Sequence, residues 1–135
     1  MAEPTTYVFD FDSTLVRIET LEALADIALA GVPDAAAIRA EVAALTDQAM
    51  TGDLPFGEAL NRRLALLPLT RDHVAELAAR ILDEGTPSVR RNLRFFREHA
   101  GRIVILSGGF REIIAPLAAH LHVPAERVLC NDLLY

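Results

Sequence analysis

Two short runs of β-branched and aromatic residues interrupt an otherwise helical pattern of apolar positions. Residues 6–9 read Thr-Tyr-Val-Phe and end at the polar cluster Asp10, Asp12, Ser13, Thr14, while residues 102–106 read Arg-Ile-Val-Ile-Leu and end at Ser107-Gly108-Gly109. A short apolar run closed by loop-forming residues predicts a buried strand that opens into a loop. A third strand is expected at 128–130, where Val128-Leu129-Cys130 follows Pro124. Elsewhere the apolar positions recur at helical spacing over 19–30, 34–50, 56–67, 71–83, 88–99 and 110–120, and the breakers Gly31, Pro33, Gly52, Pro55, Pro68, Gly85 and Pro87 separate them.

The alternation of helix and strand beyond Pro87 predicts right-handed βαβ units, hence an α/β fold with a Rossmann-like parallel sheet. The helical stretch between the first strand and Gly85 is too long for one crossover. It is expected to be an inserted helical cap over the carboxyl ends of the strands, dividing the chain into a core of 1–17 with 86–135 and a cap of 18–85. No internal repeat or low-complexity segment interrupts this plan.

Composition narrows the class. A chain of 135 residues with 52% hydrophobic content can bury one real core. The formal charge is −6, and every one of the thirteen basic residues is Arg, with no Lys. Nucleic-acid binding needs a clustered basic face. Arg62–Arg63 is only a pair, and Arg90, Arg91, Arg94 and Arg97 recur at helical spacing beside Glu98, as on a solvated helix face. Nucleic acid is therefore not an expected partner. The single Cys130 cannot form an internal disulfide and follows an apolar pair, which fits a small buried hydrophobe in a reducing compartment. No signal-peptide pattern opens the chain, and the longest uncharged apolar stretch, 27–33, is far too short for a membrane span. A cytoplasmic protein without membrane contact is expected.

Candidate chemistry sits at the two strand ends. Asp10 and Asp12 stand two residues apart where a buried strand stops, and uncompensated burial of such charges costs several kcal/mol. A bound metal is one partner that would relieve it. In an open parallel sheet, ligands bind in the crevice beyond the carboxyl ends of the strands. Ser107 ends the second strand, so both groups should face one cavity. Ser107-Gly108-Gly109 before a helix also suits an anion, because glycines let backbone N–H groups approach a phosphate at a helix N-terminus. The plain alternatives are an ordinary turn for the glycines and a helix N-cap or loop acid for Asp12. Coupling of the two strand ends favours the catalytic alternative.

With these residues in view, Asp10-Phe11-Asp12-Ser13-Thr14-Leu15 resembles the Asp-x-Asp-x-Thr first motif of haloacid-dehalogenase-type phosphatases, and Leu106-Ser107-Gly108-Gly109-Phe110 resembles their second. The resemblance implies that Asp10 is the nucleophile that forms an aspartyl-phosphate and that Asp12 is the general acid and base. It further implies that Mg²⁺ is held by the Asp10 carboxylate and the Asp12 carbonyl, and that Ser107 and Gly108 bind phosphoryl oxygens. A carboxylate nucleophile needs no activating base, and Mg²⁺ prefers oxygen ligands.

The inserted segment resembles the cap of the phosphoserine phosphatase branch. That likeness assigns Arg63 to a substrate carboxylate, Glu19 to its amine, and Met50 with Phe56 to closing the pocket. A guanidinium fork suits a carboxylate, and a Glu suits an ammonium. Taken singly, each of these residues reads as an exposed helix charge or a core side chain. His73, His99, His120 and His122 are scattered and suit helix ends or surface rather than a metal.

The family also uses a Lys and an acidic loop farther along, neither of which this sequence supplies. A truncated product or a fragment of a longer enzyme is therefore expected, crippled on its own. Its first strand should lie at an exposed sheet edge capable of self-association. The expected substrate is a small phosphorylated molecule, phosphoserine above all. The alternatives are another small phosphate ester, or a non-catalytic phosphate-binding or interaction fragment.

Overall fold

The structure, a computed structural model, describes residues 4–135. Strand β1 (Tyr7–Phe9) leads into a π-turn at Phe11–Leu15. Helices α1 (Thr20–Ala28), α2 (Ala35–Met50), α3 (Phe56–Leu66) and α4 (Arg71–Arg80) follow before the chain returns. Then come α5 (Pro87–Arg91), α6 (Leu93–His99), β2 (Ile103–Phe110), α7 (Arg111–His120) and β3 (Val128–Asn131).

The strands form a parallel sheet in the order β1-β2-β3, with Tyr7 opposite Ile103, Phe9 opposite Ile105, and Ile105 opposite Val128. Side chains alternate between faces along a strand. The face bearing Ile103 and Ile105, both fully buried, belongs to the same core cluster as Phe96 of α6 and Ile113, Ile114 and Leu117 of α7. Tyr7 and Phe9 meet α6 through ring contacts with Phe95 and Phe96 at 5.2 and 5.3 Å between centroids. The opposite face is apolar and uncovered: Val8, Leu106 and Leu129 are 60, 54 and 53% exposed. Purely parallel sheets are ordinarily covered on both faces.

Between β1 and β2 the chain makes two layers of helices. Leu24 of α1, Val74 and Leu77 of α4, and Ile81 join the main core, with α4 packing on α7. Helices α2 and α3 pack on each other farther out, over a smaller cluster of Ala25, Leu29, Val42 and Leu67. Only Val42 of α2 is buried, so this outer pair is held by little apolar contact. The segments entering and leaving the helical stretch are tied together. Val16 bridges Gly85 in antiparallel fashion, the Arg17 N–H donates to the Glu84 carbonyl at 2.9 Å, and the Thr86 hydroxyl donates to the Thr14 carbonyl at 2.7 Å.

Three local details differ from the sequence-based expectation. β2 does not stop at Leu106 but runs through Ser107-Gly108-Gly109 to Phe110, because β3 continues beside it. The expected helix at 88–99 breaks at Asn92, whose backbone (φ −119°, ψ 29°) leaves the helical region while its side-chain amide donates to the Ser88 carbonyl at 2.7 Å. The helix expected through Asp83 tightens to a 3₁₀ turn at Ile81–Glu84. Two members of the Arg group are engaged locally: Arg94 pairs with Glu98 at 2.6 Å, and Arg90 donates to the carbonyls of Leu82, Asp83 and Gly85. Among the described residues, no helix is long and apolar enough to cross a membrane.

Candidate active site

The polar end of β1 is shaped by one unusual turn. Asp12 is extended (φ −60°, ψ 132°) and Ser13 is left-handed (φ 55°), which reverses the chain and buries Phe11 and Leu15 beneath it. Left-handed geometry is uncommon outside glycine and costs of order 1–3 kcal/mol, so the surrounding bonds must hold it. The Ser13 N–H donates to the Ile18 carbonyl at 3.1 Å, and the Ser13 hydroxyl donates to Glu19 Oε1 at 2.6 Å.

Within this turn the two carboxylates have different surroundings. Asp10 is exposed, and its Oδ1 accepts the Phe11 N–H at 2.8 Å. Asp12 is half-buried, and its Oδ1 accepts the N–H of Thr20, the first residue of α1, at 2.9 Å. Burial raises the Asp12 pKa above the ordinary carboxylate value. The backbone and hydroxyl hydrogen bonds from Thr20 pull it back, and the Glu19 and Asp10 charges push it up further. The net shift is upward, the direction that suits a group asked to donate a proton. The helix-cap alternative for Asp12 is thus partly realised, because this side chain serves the N-terminus of α1 from outside the helix.

At the end of β2, the Gly109 N–H donates to Ser107 Oγ at 2.9 Å. Helix α7 begins only at Arg111, so Gly108 and Gly109 belong to an irregular strand end rather than to a helix N-terminus. Gly108 lies under Phe56 of α3. A Cβ at this position would stand 2.8 Å from Phe56 Cζ, closer than real Cβ contacts come.

A cavity of about 230 Å³ opens between these strand ends and the helices, lined among others by Asp10, Asp12, Glu19, Phe56, Arg63 and Gly108. Two of the residues singled out from sequence stand apart. Met50 is 83% exposed and lines a neighbouring groove between α1 and α2, into which Glu19 and Arg63 also reach. Ser107 is not among the lining residues, its Oγ being engaged by Gly109. Arg63 is half-buried and makes no ion pair among the described residues. Its Nη1 donates to the Thr46 hydroxyl at 3.2 Å and its Nε to the Ala59 carbonyl at 3.4 Å. Burial lowers its pKa from the ordinary value, the expected direction for a cation with no anion beside it.

Thr20 also belongs to the site, although no sequence motif marks it. It is 2% exposed, lines the cavity and holds Asp12. Its polar type at a helix start was visible, but not the partner eight residues earlier. For a metal, the cavity offers oxygen donors only, from Asp10, Asp12 and Glu19. Among the described residues, no group of three or more His, Cys, Asp or Glu side chains is arranged to hold an ion. Such a set suits a hard cation that keeps most of its water, as Mg²⁺ does, and does not make a closed cage.

A three-stranded parallel sheet with an Asp-x-Asp turn at one strand end, a Ser-Gly-Gly at the next and helices inserted between them defines a class of hydrolase. The profile of haloacid dehalogenase-like hydrolases matches residues 7–135, and the chain belongs to that family. Within it, the chain is similar to phosphoserine phosphatases. It is 38% identical to that of Homo sapiens over 127 residues, covering 94% of this chain and 53% of the human protein. It is 42% identical to phosphoserine phosphatase SerB2 of Mycobacterium tuberculosis, covering 93% of this chain and 28% of that protein. Among solved structures, a phosphoserine phosphohydrolase-like protein from Francisella tularensis superposes with a TM-score of 0.79 at 28% identity, over 98% of this chain and 60% of the other. A phospho-aspartyl intermediate analogue of phosphoserine phosphatase superposes with a TM-score of 0.72 at 29% identity, over 99% and 59%. The chain thus spans about half the length of the human relative it matches.

Proposed function

We propose that residues 1–135 carry the nucleophile half of a phosphoserine phosphatase, which releases serine and inorganic phosphate. The observation that carries this reading is that Arg63 and Glu19, from the inserted helices, line the same cavity as Asp10, Asp12 and Gly108. A guanidinium without an anion and a carboxylate are complementary to the two charged ends of an amino acid, set beside groups suited to a phosphate. On this reading 1–17 with 86–135 form the core, and 18–85 form the cap that selects the substrate.

The chemistry follows from the two carboxylates. The Asp10 carboxylate attacks phosphorus; the bond from phosphorus to the serine oxygen breaks, and an aspartyl-phosphate forms. Asp12, held by Thr20 and with its pKa raised by burial, gives a proton to the departing serine oxygen. The resulting Asp12 carboxylate then takes a proton from water as that water attacks phosphorus. Phosphate leaves, and the Asp10 carboxylate is restored. Ser107 and Gly108 are assigned to the phosphoryl oxygens, Arg63 to the substrate carboxylate, Glu19 to the ammonium, and Phe56 to the wall over Gly108. Met50 would reach the pocket only after movement of the outer helices. Haloacid dehalogenase-type phosphatases are generally metal-dependent. Mg²⁺ held by the Asp10 carboxylate and the Asp12 carbonyl would supply neutralisation of phosphoryl charge. A reducing cytoplasm accords with the lone Cys130 thiol.

Arg63→Ala is expected to raise KM for phosphoserine about tenfold or more while leaving hydrolysis of an aryl phosphate nearly unchanged, because only the former has a carboxylate to lose. Steady-state kinetics with both substrates decides it. Equal damage to both would refute amino-acid recognition by Arg63.

We also propose that the chain self-associates at β1, an edge strand whose neighbouring face exposes Val8, Leu106 and Leu129. Sedimentation of wild-type protein should show concentration-dependent association, and Val8→Lys should weaken it. A wild-type chain that stays monomeric at hundreds of micromolar would end this idea.

A further inference from the structure

The ladder between β2 and β3 loses its regularity beside the cavity. Leu106 pairs with Leu129 and Phe110 with Asn131, so Ser107, Gly108 and Gly109 together stand opposite Cys130 alone. Such a bulge deprives backbone groups of their ladder partners, and they must be satisfied otherwise. The peptide joining Gly108 to Gly109 is instead held at both ends by side chains. Its carbonyl accepts from Asn131 Nδ2 at 2.9 Å, and its N–H donates to Ser107 Oγ, also at 2.9 Å. Opposite a carbonyl oxygen, only the NH₂ end of the Asn amide can bond.

This double hold matters because a peptide between two glycines rotates more freely than any other. Turned over, it would present its carbonyl oxygen to Ser107 Oγ in place of its N–H, and the hydroxyl would have to turn its proton inward to meet it. The bond to Ser107 has a second effect. With Oγ accepting from Gly109, the hydroxyl proton remains available to donate outward.

We infer that Asn131 is a positioning residue for the phosphoryl-binding end of β2: its side-chain amide fixes the orientation of the Gly108–Gly109 peptide and, through it, of the Ser107 hydroxyl. The inference rests on the reading above in which Ser107 and Gly108 meet the phosphoryl group. Asn131 itself lies outside the lining of the cavity and acts through the backbone.

The test compares wild-type protein with Asn131→Leu, which keeps size and neutrality but has no donor, and with Asn131→Gln, which can restore the donor. Asp132→Asn serves as a control, since it removes the adjacent surface ion pair with Arg111 at 2.7 Å. Two quantities are read by NMR on the 135-residue chain: the shift and hydrogen-exchange rate of the Gly109 amide, and the affinity for inorganic phosphate. Asn131→Leu should move the Gly109 resonance, speed its exchange and weaken phosphate binding about five- to tenfold, the size of one neutral hydrogen bond. Asn131→Gln should recover most of both, and Asp132→Asn should change neither. An unmoved Gly109 amide in Asn131→Leu, with unchanged phosphate affinity, overturns the inference. If wild-type protein takes up no phosphate, the phosphoryl reading of the strand end fails, while the Gly109 amide still decides whether Asn131 sets the peptide.

Discussion

Residues 1–135 on their own should release phosphate from phosphoserine slowly, and Asp10→Asn should remove what release there is, by at least about 10³-fold. The substitution is nearly isosteric and keeps an oxygen for the Phe11 N–H, so the turn at Phe11–Leu15 survives while the nucleophile is lost. The slowness has a separate cause. The sequence has no Lys to set a fixed ammonium against the transferring phosphoryl group, and losing one such preorganised donor costs roughly 10²–10³ in rate. The cavity also offers a cation only a few oxygens, with no cluster of three ligating side chains among the described residues. Phosphate release followed at high enzyme concentration, with and without Mg²⁺, checks both parts. Rapid turnover by these 135 residues would defeat the argument from the missing ammonium. Activity that persists in Asp10→Asn would defeat the assignment of the nucleophile.

Gly108→Ala should cost little stability and much function. The new Cβ would stand 2.8 Å from Phe56 Cζ, the far end of a side chain that is 58% exposed and can swing away. The fold therefore yields at the contact between α3 and β2 rather than in its core, and the expected loss of stability is below about 1 kcal/mol. What is lost is the close approach of the inserted helices to the strand end, so KM for phosphoserine should rise about tenfold. The pair Phe56→Ala and Gly108→Ala makes this specific. In a Phe56→Ala background the alanine at 108 meets no atom closer than about ordinary contact distance, and its further effect should shrink, with a coupling energy of about 1–2 kcal/mol in the double-mutant cycle. Strictly additive effects would mean that Gly108 is needed for some reason other than Phe56. A large drop in melting temperature would mean that the clash is paid in the core.

The same two strand ends illustrate where reading the chain directly succeeds. The runs at 6–9, 102–106 and 128–130 could be recognised because a strand buried on its packed face must be apolar and β-branched over a short length. The Asp10–Asp12 pair was conspicuous because carboxylates at the end of such a run are costly without a partner. Helix limits at Gly31 and Gly52 were local too, since both adopt positive φ (77° and 81°) that other residues adopt only with strain. The break at Asn92 was also local, yet its signal was weak, because Asn is tolerated within helices and competes with them only when a carbonyl such as that of Ser88 lies within reach.

By itself, then, the sequence determined the α/β class, the parallel pairing of the strands and the polar residues that close β1 and β2, since these depend on periodicity and short-range chemistry. The tertiary structure decided the rest. It set the Thr20 amide against Asp12, spread Ser107, Gly108 and Gly109 opposite Cys130, and brought Asn131 to the Gly108 carbonyl. It also left Met50 in the neighbouring groove and uncovered the Val8, Leu106 and Leu129 face. These outcomes depend on orientation and strand register rather than on local pattern. A bulge of two extra residues redirects every group that follows it, and no local pattern of apolar and polar positions encodes where such a shift will fall.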